Sequence, residues 1–133
     1  TRKLITLSLS DDLYKAEKLF KKHHIRHIPI VEDGHIIGML SYSDLKRISF
    51  LDSYDDHEVQ IDNAIYEMLS IGQVMVKNLV KINSDVTVKS VVEILAKKEF
   101  HALPVVDNDM LVGIVTTTDL LRYLLDQYEL ENT

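Results

Sequence analysis

The sequence predicts a mixed α/β fold, of the α+β type, made from two copies of one small unit. Three observations predict it: a repeat at constant offset, apolar residues at helical spacing that stop before a proline, and a turn signal between two apolar runs. "HIPIVEDGHIIGMLSYSDLKR" at 27–47 aligns without a gap with "ALPVVDNDMLVGIVTTTDLLR" at 102–122. Pro29 meets Pro104, Gly38 meets Gly113, Asp44 meets Asp119 and Arg47 meets Arg122, always 75 positions apart. Each copy therefore reads as one supersecondary unit. A lone unit of about 60 residues buries too little surface to be comfortably stable, so the two copies are expected to share a core.

A short apolar segment opens each copy, "LITL" at 4–7 and "LVKI" at 79–82. Leu13, Ala16 and Phe20 then fall on Val88, Val91 and Leu95, the i, i+3, i+7 spacing of one helical face. Helices are predicted at about 12–24 and 87–99, with Asp12 and Thr87 as N-caps. Pro29 and Pro104 end the helical signal, because the residue before a proline is pushed towards extended backbone. "IPIV" and "HIIGML" flank "EDG", whose Asp33-Gly34 is a strong hairpin signal, and the second copy carries the weaker "DND" at 107–109. Ser43 or Thr118, the hydroxyl before the aspartate, opens a second helix at 43–51 or 118–130. The unit reads strand, helix, strand, strand, helix.

These signals set a first unit at 1–51, a linker at 52–73 and a second unit at 74–133. Asp52, Asp55, Asp56 and Glu58 form an acidic run expected to be a solvated loop. Ile61, Ile65, Met68 and Leu69 then recur at helical spacing, which predicts a return to the core. Thr1 aligns with Val76, so the N-terminal part of the first unit is expected to be missing.

Composition narrows the chemistry. Of 133 residues, 46% are hydrophobic and 27% charged, the balance of a chain that folds. No apolar run approaches the roughly 18 residues of a membrane span, and the start lacks a signal-peptide core, which leads us to expect a soluble, cytoplasmic protein. Without cysteine there is no disulfide, thiolate metal site or cysteine nucleophile. A formal charge of −6 disfavours a broad nucleic-acid surface, whereas a small anionic ligand needs only a few local donors.

Two readings of the repeated Ser41-x-x-Asp44 and Thr116-x-x-Asp119 stay open. One is a capping box, in which hydroxyl and acid satisfy orphan backbone donors of a helix start. The other is a nucleotide site, because helix N-termini attract phosphate and an acceptor-only carboxylate can take both ribose hydroxyls as donors. His23, His24, His27 and His35 do not share a recognisable ligand spacing, so they read as structural or solvated, with no metal. No P-loop, G-x-G-x-x-G or H-E-x-x-H is present, so no catalytic residue is assigned. Leu120, Leu121, Leu124, Leu125 and Tyr128 make the last helix more apolar than one core face needs.

With "VM" at 74–75 and "DVTV" at 85–88 added to the two repeated segments, the chain resembles a tandem pair of CBS (cystathionine β-synthase) domains, a Bateman module. The resemblance implies two βαββα units packed about a pseudo-twofold axis, with two clefts, commonly assembled into homodimers through their helices. It also implies a regulatory, non-enzymatic module that senses AMP, ADP, ATP or another adenosyl compound, without a resident cofactor, membrane contact or nucleic-acid partner. Residue by residue, it places Asp44 and Asp119 at ribose and Ser41, Ser43, Thr116 and Thr118 by the phosphates. Arg26 and His101, three before each proline, would reach the phosphates, with His27 beside Arg26. Ile5, Thr6, Ile28 and Pro29 would form one adenine slot, and Val80, Leu103 and Pro104 the other, where Lys81 departs from the usual hydroxyl. The alternative is a structural homodimerisation module whose clefts stay unoccupied.

Overall fold

The computed structural model describes residues 4–50, 65–98 and 101–131, and the chain divides into two compact units, 1–79 and 80–133.

In the first unit, helix α1 spans Leu13–His23. Its start is fixed by Asp12, whose carboxylate accepts the Lys15 amide at 2.9 Å. One residue earlier the Asp11 carboxylate accepts the Ser8 amide at 2.9 Å and pairs with Lys15 at 3.0 Å. The Ser8 amide, with Lys15 beside it, holds the Asp11 carboxyl below its ordinary range. The helix ends at His24, which takes the left-handed conformation with φ 53°. The amphipathic face predicted from sequence is the one buried: Leu13, Ala16 and Phe20 are at most 1% exposed.

Strands β1 (His27–Glu32) and β2 (His35–Ser41) form the predicted antiparallel hairpin. Asp33 and Gly34 both have positive φ, 52° and 83°, which suits a two-residue turn whose twist matches its strands. Pairing runs from His27↔Ser41 to Glu32↔His35 and shifts between Ile30 and Val31, where a bulge bends the ladder. The apolar opening segment contributes one parallel bridge, Leu7↔Ile30, in place of a full strand. Helix α2, Tyr42–Phe50, follows β2 without a loop. Phe20 stacks on Tyr42 at 5.0 Å between ring centroids, joining α1 to the start of α2.

The rest of the first unit comes from the far side of the linker. The acidic run and Ile61 lie outside the described residues. Residues 65–68 are helical, and the side chain that anchors them is Tyr66: it is buried, stacks edge-on with Tyr14 and donates its hydroxyl to Glu17 at 2.8 Å. Met68, expected to return to the core, is 78% exposed. An aromatic ring with a polar tip can be buried while its hydroxyl stays bonded, and it takes the inward position here. A short helix α3 (Ile71–Val74) carries a complete capping box between Ser70 and Gln73 and buries Ile71. Val76 then pairs with Met39 through two backbone bonds of 2.9 and 3.0 Å. Residues 74–76, which the repeat groups with the second copy, thus belong to the first compact unit, where Val76 forms a single antiparallel bridge with β2.

The second unit repeats the plan with less buried surface. Strand β3 is Ile82–Asn83, parallel to β4 (Ala102–Asp107), which pairs antiparallel with β5 (Met110–Thr116). The bulge recurs at the equivalent place, between Val105 and Val106, and Asn108 and Asp109 supply the positive φ of the turn. Helix α4 is Val88–Lys98, with Thr87 Oγ1 accepting the Ser90 amide at 3.1 Å. Val91 and Leu95 are buried, but Val88 is 42% exposed, so the helical face is narrower than in α1. Helix α5, Thr117–Glu131, buries none of its residues completely.

A Cβ built on Gly38 would run into Met75 Sδ, whereas among the described residues nothing lies within 4 Å of the equivalent atom on Gly113. Gly38→Val should therefore cost about 1–3 kcal/mol by overpacking. Urea unfolding should show that loss, its partial relief by Met75→Ala, and little change in Gly113→Val. Equal losses at both glycines would contradict the packing of Met75 on Gly38.

Candidate functional site

Each unit gathers its polar candidates where β1 or β4 begins and β2 or β5 ends. His27 lies opposite Ser41, and Ala102 opposite Thr116, in the two ladders. One further backbone bond then ties the start of the second helix to the residue before the first hairpin strand. The Tyr42 amide donates to the Arg26 carbonyl at 2.8 Å, and the Thr117 amide to the His101 carbonyl at 3.1 Å. Arg26, Ser41 and Asp44 are thereby grouped around the α2 start, and His101, Thr116 and Asp119 around the α5 start. The side chains of Arg26, Ser43, His101 and Thr118 are exposed.

The two starts differ in how the aspartate is used. In the second unit the capping box is complete: the Asp119 amide donates to Thr116 Oγ1 at 3.1 Å and the Thr116 amide to Asp119 Oδ2 at 2.9 Å. In the first unit the Asp44 amide donates to Ser41 Oγ at 3.0 Å, but the Asp44 carboxylate instead pairs with Arg47 at 3.2 Å. That arginine side chain is 76% exposed. An exposed pair of this kind contributes at most about 1 kcal/mol, so an incoming hydroxyl donor can replace it at small cost. Lys46 folds its ammonium over the Tyr42 ring, 4.5 Å from the centroid. The sequence reading missed Lys46 and the Asp44–Arg47 pair; both follow from helical i+3 and i+4 spacing once Tyr42 and Asp44 are placed on α2.

The apolar candidates split into two kinds. Ile28 and Leu103 are at most 1% exposed and belong to the hydrophobic cores, with Pro29 and Pro104 buried beside them. Ile5 is half-buried against the first core, Thr6 is exposed, and Val80 and Lys81 are exposed. The Leu7 amide donates to the Pro29 carbonyl at 3.1 Å, which brings Ile5 and Thr6 to the flank of β1 away from β2. Of the histidines, His23, His24 and His35 are exposed and His27 is half-buried. Among the described residues, no three His, Asp or Glu side chains come together as a metal site. No described helix is long and apolar enough to cross a membrane.

Two compact α+β units, each closing a hairpin with a hydroxyl-x-x-aspartate helix start, define a tandem-repeat module. The chain belongs to the CBS domain family: the model named CBS domain matches residues 1–50 and 71–126. Among curated proteins it is similar to the CBS domain-containing protein YhcV of Bacillus subtilis, 28% identical over 120 residues, covering 90% of this chain and 78% of that one. Among solved structures it resembles a putative acetoin utilization protein (AcuB) from Vibrio cholerae, with a TM-score of 0.80 and 27% identity over 99% of this chain and 90% of that one. It also resembles the CBS domain pair of protein MJ0100 in complex with 5′-methylthioadenosine and S-adenosyl-L-methionine. That likeness has a TM-score of 0.75 and 26% identity, covering 96% of this chain and 92% of that one. Other curated relatives are longer, and the chain spans 43% of one and 22% of another.

Breaking the complete box should cost more than breaking the half box. Asp119→Asn is expected to lower stability by about 1 kcal/mol, and Asp44→Asn by a few tenths, read from denaturant midpoints without ligand. A larger loss for Asp44→Asn would contradict this assignment of the two carboxylates.

Proposed function

We propose that the chain is a regulatory module that binds an adenosine nucleotide or a related adenosyl compound at the hydroxyl-aspartate helix starts of its units. The observation that carries this reading is the grouping of aspartate, hydroxyls and a basic residue at each start by one backbone bond. Helix amides and dipole favour phosphate there, while the carboxylate accepts ribose hydroxyls. The similarity to a CBS domain pair crystallised with two adenosyl compounds supports the ligand class. The ligand acts by differential affinity for two conformations of the module, and its regulatory effect is limited to that difference. The aspartates occupy duplicate positions and make no complementary acid and base pair, so no catalytic step is assigned to them.

A second reading, a structural homodimerisation module with unoccupied sites, draws on α5. Leu121, Leu124, Leu125 and Tyr128 are each more than half exposed. Such a face loses free energy in water and gains it against another apolar surface. The two readings are compatible, and homodimerisation through α5 is part of the proposal.

Calorimetric titration with AMP, ADP, ATP and S-adenosylmethionine should give at least one dissociation constant below the millimolar range, weakened at least tenfold by Asp44→Ala or Asp119→Ala. Absence of binding by all four compounds would leave only the structural reading. Sedimentation should show a dimer that Leu121→Lys with Leu125→Lys converts to a monomer. Both positions are solvent-facing, where substitutions cost a folded chain within about 0.5 kcal/mol. A wild-type monomer at micromolar concentration would remove the dimer.

A further inference from the structure

The repeat makes the two helix starts comparable position by position, and two of the matched positions differ in charge. Arg26 corresponds to His101, and Lys46 to Leu121, while Arg47 and Arg122 are common to both copies. The structure puts Arg26 and Lys46 at one place. The Arg26 carbonyl accepts the amide of Tyr42, the first residue of α2, and the Lys46 ammonium lies over the ring of that same Tyr42. Two basic residues therefore meet at Tyr42, one through its backbone and one through its ammonium. At the α5 start the same bond leads to His101, and the other position is Leu121, 61% exposed. Lys81 precedes β3, which lies across β4 from β5, about 10 Å away at the usual strand spacing.

The aspartates differ in the same direction. Asp119 already accepts the Thr116 amide at Oδ2, so a ribose there shares the carboxylate with the helix cap and has Oδ1 as the oxygen the cap does not use. Among the described residues the Asp44 carboxylate pairs with exposed Arg47, and a ribose that takes it leaves the guanidinium to swing towards phosphate.

We propose that the two units are unequal sites: the α2 start takes an adenosine nucleotide with a di- or triphosphate chain, and the α5 start an adenosyl compound with one phosphate or none. This rests on the adenosyl-binding reading above and assigns each unit its ligand charge. Each added phosphate brings further negative charge, which Arg26 and Lys46 meet with fixed donors and His101 and Leu121 do not.

The test titrates the full chain with ATP and with 5′-methylthioadenosine. In Arg26→Gln with Lys46→Gln, the affinity for ATP should fall roughly five- to tenfold, while that for 5′-methylthioadenosine stays within twofold of wild type. The second ligand also shows that the variant is folded. His101→Gln should leave ATP binding unchanged. Equal loss of both ligands in the double variant, or a loss of ATP affinity in His101→Gln as large as in the double variant, would overturn the proposal. If Asp44→Asn abolishes ATP binding yet the double variant binds ATP as wild type does, adenosyl binding stands and the inequality falls. If neither compound binds wild type, both fall.

Discussion

One backbone hydrogen bond per unit organises everything of functional interest. The carbonyl before the hairpin accepts the first amide of the second helix, Arg26 to Tyr42 and His101 to Thr117. It continues the hairpin ladder by one step and forces the helix to begin where the strand begins. A helix start has amides without intrahelical partners, and this bond satisfies one while the hydroxyl of Ser41 or Thr116 satisfies another. The consequence is geometric. Residues separated by about fifteen positions in sequence share one corner, and the corner has donors, an acceptor and a basic residue, Arg26 or His101.

That corner rests on a small open sheet whose apolar side chains pack against the helices. In the first unit residues from 66 to 76 cover the hairpin and α1: Tyr66 is bonded to Glu17, Ile71 is buried, Met75 lies over Gly38 and Val76 is paired with Met39. The bridge satisfies the outward amide and carbonyl of Met39 on the open edge of β2. The boundary of the compact unit therefore differs from the boundary of the repeat. A repeat reports common ancestry of segments, whereas a compact unit reports which segments bury one another.

The copies have diverged within this shared frame. Asp119 completes its own helix cap, and Asp44 leaves its cap to the hydroxyl and faces Arg47. The apolar faces diverge too: α1 buries three residues deeply, while in α4 Val88 has come out to solvent. Among the described residues the second unit's buried cluster is Ile82, Val91, Leu95 and Leu103, and α5 adds no fully buried residue to it. A unit with so little core gains most from covering the apolar stripe of α5.

Local chemistry was legible in the sequence wherever it is short-range. Asp12 and Thr87 as caps, Asp33-Gly34 as a turn, the proline breaks and the hydroxyl-aspartate helix starts all depend on backbone preferences within a few residues, so a string of letters suffices to place them. The bulges, the reduction of "LITL" to a single bridge at Leu7, the inward position of Tyr66 in place of Met68 and the pairing of Val76 with Met39 were not legible. Each is decided by competition among distant segments for the same sheet edge or core space, and that competition is settled by packing, which spacing along the chain does not encode. The same holds for the site: the motif named Ser41, Asp44, Thr116 and Asp119 twice over, but only the fold chose which carboxylate its own helix would claim.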